Sequence, residues 1–473
     1  MKINKFIKKN KITISFTFLL FAFSLFCLLF LVRDSDYFWH IKVGEYIFNS
    51  GILKSDIFSW YLHGKYWMSH EWLFEFIIYL FKYLFGSYHM LIYGFICISS
   101  LLLILFFSNK KGYLKNIPFT LLWIIIFIFF IGSIQVRPHL FSFSLLALVI
   151  WFLYDLLINE NSKKIYFLPL ITIFWANFHG GSSNLGYIFC FIFFFIGLFD
   201  FEFCKIKSIK LSRKQLIKYF VVGLICMISV CLNVHGFKMF IYPYQNMADS
   251  VMLSNIFEWQ PTNLNIGYHY LYFILLLIIV ITMLVSKKKI LLIDLVLLSV
   301  SMYLGLKSIR FWPYTYIIMS YVIFNYINTR REDKGTELCI CLIGITFIFL
   351  FFIGSSILNK NINMRYLNDD VIDIIKKESP KRLFNMYDYG GELIYNDIDV
   401  FIDGRADLYS KYNYNDYLNI SLLKYDYVKT IDRYNFDYFL VNNKYSINTY
   451  LKYNDNYSVI YKNKNFSLYK KNS

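Results

Sequence analysis

The chain has 473 residues, of which 58% are hydrophobic and 21% aromatic, with a mean hydropathy of +0.47 and a formal charge of +17. So apolar a composition excludes an ordinary soluble domain of this length. The positive charge sits in short loops beside apolar runs, where the positive-inside bias and anionic lipid account for it, and this excludes a nucleic-acid surface.

Lys2, Lys5, Lys8, Lys9 and Lys11 precede a first apolar span at residues 13–32, which predicts a cytoplasmic N-terminus. The span is long and no small-residue cleavage site follows it, so it reads as retained rather than as a signal peptide. A long outer loop over residues 33–88 comes next. It begins Arg33-Asp34-Ser35-Asp36-Tyr37-Phe38-Trp39-His40, continues through an amphipathic stretch at Gly44 to Ser50 and Asp56-Ile57-Phe58-Ser59, and reaches His70-Glu71-Trp72. A helix is predicted from Glu71 to Phe85, ending at Gly86 and lying along the membrane surface.

Further spans are predicted at residues 89–107, 117–133, 138–157, 166–177, 184–200, 219–233, 270–285, 290–306, 313–328 and 337–358. A crossing needs about 20 apolar residues, and 166–177 is too short to cross alone. Basic clusters at Lys110, Lys111 and Lys115, at Lys163 and Lys164, from Lys205 to Lys218, from Lys287 to Lys289, and at Arg330, Arg331 and Lys334 fall at every second turn. That alternation predicts eleven crossings of the cytoplasmic membrane, with the C-terminus extracytoplasmic. The fold class is thus an α-helical multi-pass membrane protein over residues 1–358, followed by a small C-terminal α/β domain over residues 359–473.

The turns on the other side carry Gln135-Val136-Arg137-Pro138-His139, Asn177-Phe178-His179-Gly180-Gly181, Asn233-Val234-His235-Gly236, Glu258-Trp259 and Ile309-Arg310-Phe311. Ionisable groups near a hydrocarbon edge mark a substrate or ion path, because their desolvation must be offset by a partner or a task. Tyr37 and Trp39 also suit an interfacial anchor, and a lone His beside Gly or Pro is commonly a turn residue. Anchoring does not require Asp-x-Asp, however: two acids one residue apart repel unless a cation or a shared proton relieves them. Arg137 and Arg310 suit a phosphate, since a planar guanidinium binds two oxygens at once. The eight cysteines have no metal-site spacing and none lies in the C-terminal domain, which argues against disulfides and zinc there.

Within the C-terminal domain, strand-like runs at Arg382 to Met386, Val400 to Asp403, Tyr438 to Val441 and Tyr457 to Tyr461 alternate with helical patterns such as Tyr414 to Arg433, predicting a partly parallel sheet. Strand ends there carry Tyr387, Asp388, Gly390 and Gly391, then Asp403, Gly404, Arg405 and Asp407. The glycines alone read as turn chemistry; the acids and arginine beside them are binding candidates.

Taken together, these motifs resemble the GT-C superfamily of integral membrane glycosyltransferases over nearly the whole chain. The resemblance rests on Asp34 and Asp36 after the first span, His70-Glu71-Trp72-Leu73 before Phe85-Gly86, and blocks such as Trp39-His40, Arg137-Pro138-His139 and Phe401 to Tyr409. The family implies sugar transfer from a polyprenyl-phosphate donor to a glycan, lipid or protein acceptor at the outer face of the membrane. It makes Asp34 or Asp36 the base or the ligand of a divalent cation, Mg or Mn. Arg137, Arg310 and His179 would hold the donor phosphate. Substrate contacts would come from Arg33, His40, His70, Glu71, His139, Asn177, His235, Glu258, Trp259, Asp403, Arg405 and Asp407. The chain departs from the best-studied branches in lacking their Glu-x-x-Tyr or Asp-Glu pairing, which leaves the division of labour between Asp34 and Asp36 open. A transporter or flippase of lipid-linked sugars is an alternative of another class, although no internal repeat is evident. A surface-polysaccharide polymerase or ligase is the third reading.

Overall fold

The computed structural model describes residues 2–31, 34–108, 117–267, 269–327, 336–358 and 365–472. Arg33 and the basic clusters Lys110, Lys111 and Lys115 and Arg330, Arg331 and Lys334 lie outside the described residues. The chain divides into two compact units, one made of Met1–Val32, Met90–Pro243 and Ile256–Ile362, the other of Arg33–His89, Tyr244–Asn255 and Asn363–Ser473. This differs from a cut at residue 358. The first loop belongs with the C-terminal segment, because both contribute side chains to one hydrophobic core.

The first unit is helical, and each of the eleven segments expected to span contains a helix. Among the described residues, two helical stretches are long and apolar enough to cross a membrane: Trp72–Ser108, in which helices Trp72–Phe85 and His89–Ser108 are joined by a 3-10 turn at Gly86–Tyr88, and His139–Ile158. Others, such as Leu168–Phe178 and Leu185–Ile196, are shorter; at about 1.5 Å per residue they fall below a hydrocarbon core of roughly 30 Å. Length and composition therefore do not establish eleven crossings. Lys2–Cys27 packs along Thr336–Leu358, with the rings of Phe23 and Phe347 4.9 Å apart. Trp312–Tyr326 is buried at every residue except Asn325, as an all-round apolar helix must be.

Three of the basic loops meet at one end of this unit. β1 (Glu202–Phe203) pairs antiparallel with β2 (Ile206–Lys207), and β2 pairs parallel with β3 (Ile290–Leu291). Lys218 donates to the carbonyls of Glu160 and Ser162, and Lys205 to that of Ser286. These ammonium groups cap chain ends that would otherwise leave carbonyls unmet.

The second unit holds a four-stranded sheet of β4 (Leu383–Asn385), β5 (Tyr438–Asn442), β6 (Tyr457–Lys462) and β7 (Phe466–Lys471), in the order β4-β5-β7-β6. β4 and β5 are parallel, and β7 runs antiparallel to both of its neighbours. The expected strand at Val400 to Asp403 is not one. The amide of Asn385 donates to the Ile402 carbonyl and accepts from the Phe401 N–H, so a side chain does what a backbone ladder would do. The helical pattern from Tyr414 to Arg433 forms two helices, Tyr414–Ser421 and Tyr427–Tyr434, because Leu423 and Asp426 turn the chain at positive φ.

Trp39, Val43, Leu53, Leu62 and Trp67 from the first loop share one core with Phe384, Phe401, Phe439 and Leu468. Trp60 and Val400 are joined through their backbones, and the Trp60 indole donates to the Leu383 carbonyl. The hairpin around Gly64 (φ +79°) is thus an integral layer of the domain rather than an appendage.

Candidate functional site

In the second unit, helix Asp36–Ser50 crosses helix Trp72–Phe85 where Gly44 lies against the Glu75 backbone, a place no Cβ could occupy. His40 is one turn before Gly44 and therefore on the same face. Its Nδ1 is 3.5 Å from Glu75 Oε1 and its Nε2 3.8 Å from Glu71 Oε2. Ser69 donates to the other Glu75 oxygen at 2.7 Å. His70 continues the cluster, 3.2 Å from Glu71 and 3.9 Å from Asp407. Glu75 was not singled out in the sequence, although its spacing of four from Glu71 on a helix is a signal that could have found it.

Burial alone would lower the His70 imidazole, but the carboxylates of Glu71, Asp407 and Glu75 outweigh it and raise the group to about 9. Because this folded value exceeds the unfolded 6.5, the stabilisation is complete below pH 6.5 and lost as pH rises through 9. The shift corresponds to about 3 kcal/mol at most. The His70→Gln variant should therefore melt well below the wild type at pH 6 and close to it at pH 10; equal gaps at both pH values would remove the charge from the account.

The acid pair is divided in its tasks. Asp34 accepts from the Asp36 N–H at 3.0 Å, meeting the first of the donors that helix Asp36–Ser50 leaves without an intrahelical partner. Asp36 occupies the first turn of that helix. Its carboxylate lies where a Cβ on Gly404 would be, and the carbonyl of Ser35 lies in the same way against Gly391. Neither glycine has a positive φ, so both serve close approach and not turn geometry. The Asp34-x-Asp36 and Asp403-Gly404-Arg405 motifs are therefore neighbours.

Arg405 and Asp403, expected as substrate contacts, are held in a buried ion-pair network. The fully buried guanidinium donates to Asp403 at 2.9 and 2.6 Å, to Asp56 at 2.6 Å and to the Tyr409 hydroxyl at 3.1 Å. It also lies over the Trp67 ring, 4.8 Å from the centroid. Desolvation would lower this group, but Asp403 and Asp56 hold it well above the ordinary arginine range. Burial would raise Asp56, yet Arg405 and the Ser59 hydroxyl hold it below the ordinary value. Asp56 was missed as a partner because nothing in linear spacing connects it to Arg405.

The first unit has its own cluster. Arg137 and Arg310 donate to the same oxygen of Glu258, at 3.1 and 3.2 Å. Burial would raise Glu258, but the two guanidiniums bring it to about 2. Ser308 donates to the Glu258 carbonyl, Ile309 N–H to that of Gln260, and Arg310 stacks 4.8 Å from the Trp259 ring. Of these residues Glu258, Ile309 and Arg310 line a cavity of about 520 Å³, whose wall also includes Phe129, His139, Phe143, Leu271 and Tyr314.

His179 is held by two hydroxyls. Its Nδ1 is 2.6 Å from Ser142 Oγ and 3.2 Å from Ser182 Oγ, and Ser182 meets the cavity-lining Tyr314 at 2.7 Å. Asn177 and His235 are not brought to the cavity wall. The Asn177 amide donates to the carbonyls of Ile173 and Leu232, while the N–H of His235 is held in a turn by Asn233. Among the described residues, no three His, Cys, Asp or Glu side chains are grouped to hold a metal ion.

No family model matches the chain, and no curated protein matches it by sequence. Among solved structures it is similar to the apo crystal structure of the Archaeoglobus fulgidus oligosaccharyltransferase, at 11% identity and a TM-score of 0.48. The match covers 90% of this chain and 69% of that one.

Proposed function

We propose that the chain is a multi-pass glycosyltransferase of the cytoplasmic membrane, moving a sugar from a polyprenyl-phosphate donor to a lipid, glycan or protein acceptor. The observation that carries this reading is the cavity of about 520 Å³: its wall is mostly aromatic and aliphatic, and Arg310 stands in it beside Glu258. An apolar chamber with a guanidinium at its edge suits a ligand that is hydrocarbon at one end and phosphate at the other. Arg310 and Arg137 would hold that phosphate.

For the chemistry, the reading gives Asp36 the part of general base, taking the proton from the acceptor hydroxyl. Asp34 is then a positioning residue acting through its hydrogen bond from the Asp36 N–H. Glu71 would orient the acceptor, with His40 and His70 beside it. Eleven crossings, a cytoplasmic N-terminus and an extracytoplasmic second unit belong to the same proposal.

The test is to offer purified full-length protein a panel of polyprenyl-phosphate sugars with membrane lipid and envelope glycans, then to follow acceptor mass. A one-residue increment supports the reading. A polymer ladder would move it to a polymerase, and sugar-lipid movement across vesicles without any product would make it a flippase. Arg310→Ala should weaken donor binding about 10–100-fold, the effect of losing one charge-assisted hydrogen-bonding group. Unchanged binding of a polyprenyl-phosphate sugar by that variant would detach the cavity from the donor.

A further inference from the structure

Glu258 is an odd residue to find at a phosphate site. It puts a negative charge beside the two guanidiniums that an anion would be expected to meet first. Both Arg137 and Arg310 direct an Nη to a single oxygen, Glu258 Oε1. The turn that carries Glu258 is tied to the next by the Ser308 hydroxyl on its own carbonyl and by Ile309 N–H on Gln260, which fixes the backbone from which the carboxylate reaches the two guanidiniums. The two guanidiniums keep it ionised through the physiological range. Two positive charges and one negative leave a net of +1. Among the described residues of the cavity wall, Arg310 is the one Lys or Arg.

We propose that Glu258 is a specificity-determining residue that sets the site for a donor of one negative charge, a lipid phosphodiester, and against a lipid diphosphate. This rests on the reading of the cavity as the donor site. A phosphodiester carries one charge and is neutralised by the net +1. A sugar-linked diphosphate carries two, and its second phosphate would find a carboxylate already sharing the available cations instead of a further guanidinium. Like-charge juxtaposition of this kind discriminates by repulsion of the wrong ligand, not by added attraction to the right one. The substrate class is therefore a polyprenyl monophosphate sugar, which must be supplied by an enzyme joining an activated sugar to a polyprenyl monophosphate.

Two short probes separate the charges, farnesyl methyl phosphate with one and P1-farnesyl-P2-methyl diphosphate with two. Binding of each to the full-length protein in detergent should favour the monophosphate by about tenfold or more in the wild type. Glu258→Gln should narrow or invert that ratio by about tenfold, whereas Glu258→Asp, which keeps the charge, should retain it. An unchanged ratio in folded Glu258→Gln overturns the proposal, and should that variant not fold, loss of the preference in Glu258→Asp does so. Equal binding of both probes by the wild type overturns the proposal while leaving the donor-site reading intact. Binding of neither overturns both.

Discussion

Asp36→Asn is expected to lower sugar transfer by about 10²–10⁴-fold while leaving donor binding and melting temperature close to wild type, because general-base assistance is worth that much in rate. The replacement is nearly isosteric. An amide fits beneath Gly404 as the carboxylate does, and it can still sit in the first turn of helix Asp36–Ser50. What disappears is the ability to accept a proton. Asp34→Asn is the matched control: its amide oxygen can still accept from the residue 36 N–H across 3.0 Å, so its effect on turnover should stay below roughly tenfold. Single-turnover transfer with a saturating polyprenyl-phosphate sugar measures both. A folded Asp36→Asn protein transferring at the wild-type rate would take Asp36 out of the chemistry.

Arg405→Ala is expected to do the opposite, destabilising the second unit by about 3–5 kcal/mol, the cost of leaving buried carboxylates without their cation. Asp56 and Asp403 both have side chains that are 0% exposed, so neither can recruit water in its place. Arg405→Lys should fare little better. An ammonium cannot reach Asp403 through two nitrogens, bond Asp56 with a third and stack flat on Trp67 at once. Chemical unfolding followed by tryptophan emission, with proteolysis near the Gly64 turn as a second readout, tests this. Stability within 1 kcal/mol of wild type (about a fivefold change in the folding equilibrium) would deny Arg405 its structural part.

The contrast explains what the sequence could and could not disclose. Helices came through well, since apolar runs and their breakers are local signals: the end of Trp72–Phe85 at Gly86 follows from the residue itself, whose φ is +56°. Three strands of the sheet, β4, β5 and β6, were legible for the same reason. β7 was not, because Phe466–Lys471 alternates weakly and mixes two lysines into its end. Val400 to Asp403 has the composition of a strand, yet its partner is the amide of Asn385, a long-range choice that no period encodes. Of the site, the motif residues were visible but not their tasks. In Asp403-Gly404-Arg405 the glycine read as turn chemistry and the charges as binding candidates; in the structure the glycine makes room for Asp36 and Arg405 closes on Asp403 and Asp56. Spacing shows which residues are near each other along the chain; here the decisive neighbours come from opposite ends of it.

That distance also sets a timetable for biogenesis. Asp56 and Arg405 are separated by 349 residues, so at a synthesis rate of about 5–20 residues per second the early hairpin waits roughly 20–70 s for its counter-ion to leave the ribosome. Until then Trp39, Trp60 and Trp67 have lost neither water nor the opportunity for wrong partners, and a nascent chain in this state is a client for chaperones. It follows that severing the C-terminal segment would not trim an accessory; it would maroon the first loop in its unfinished form.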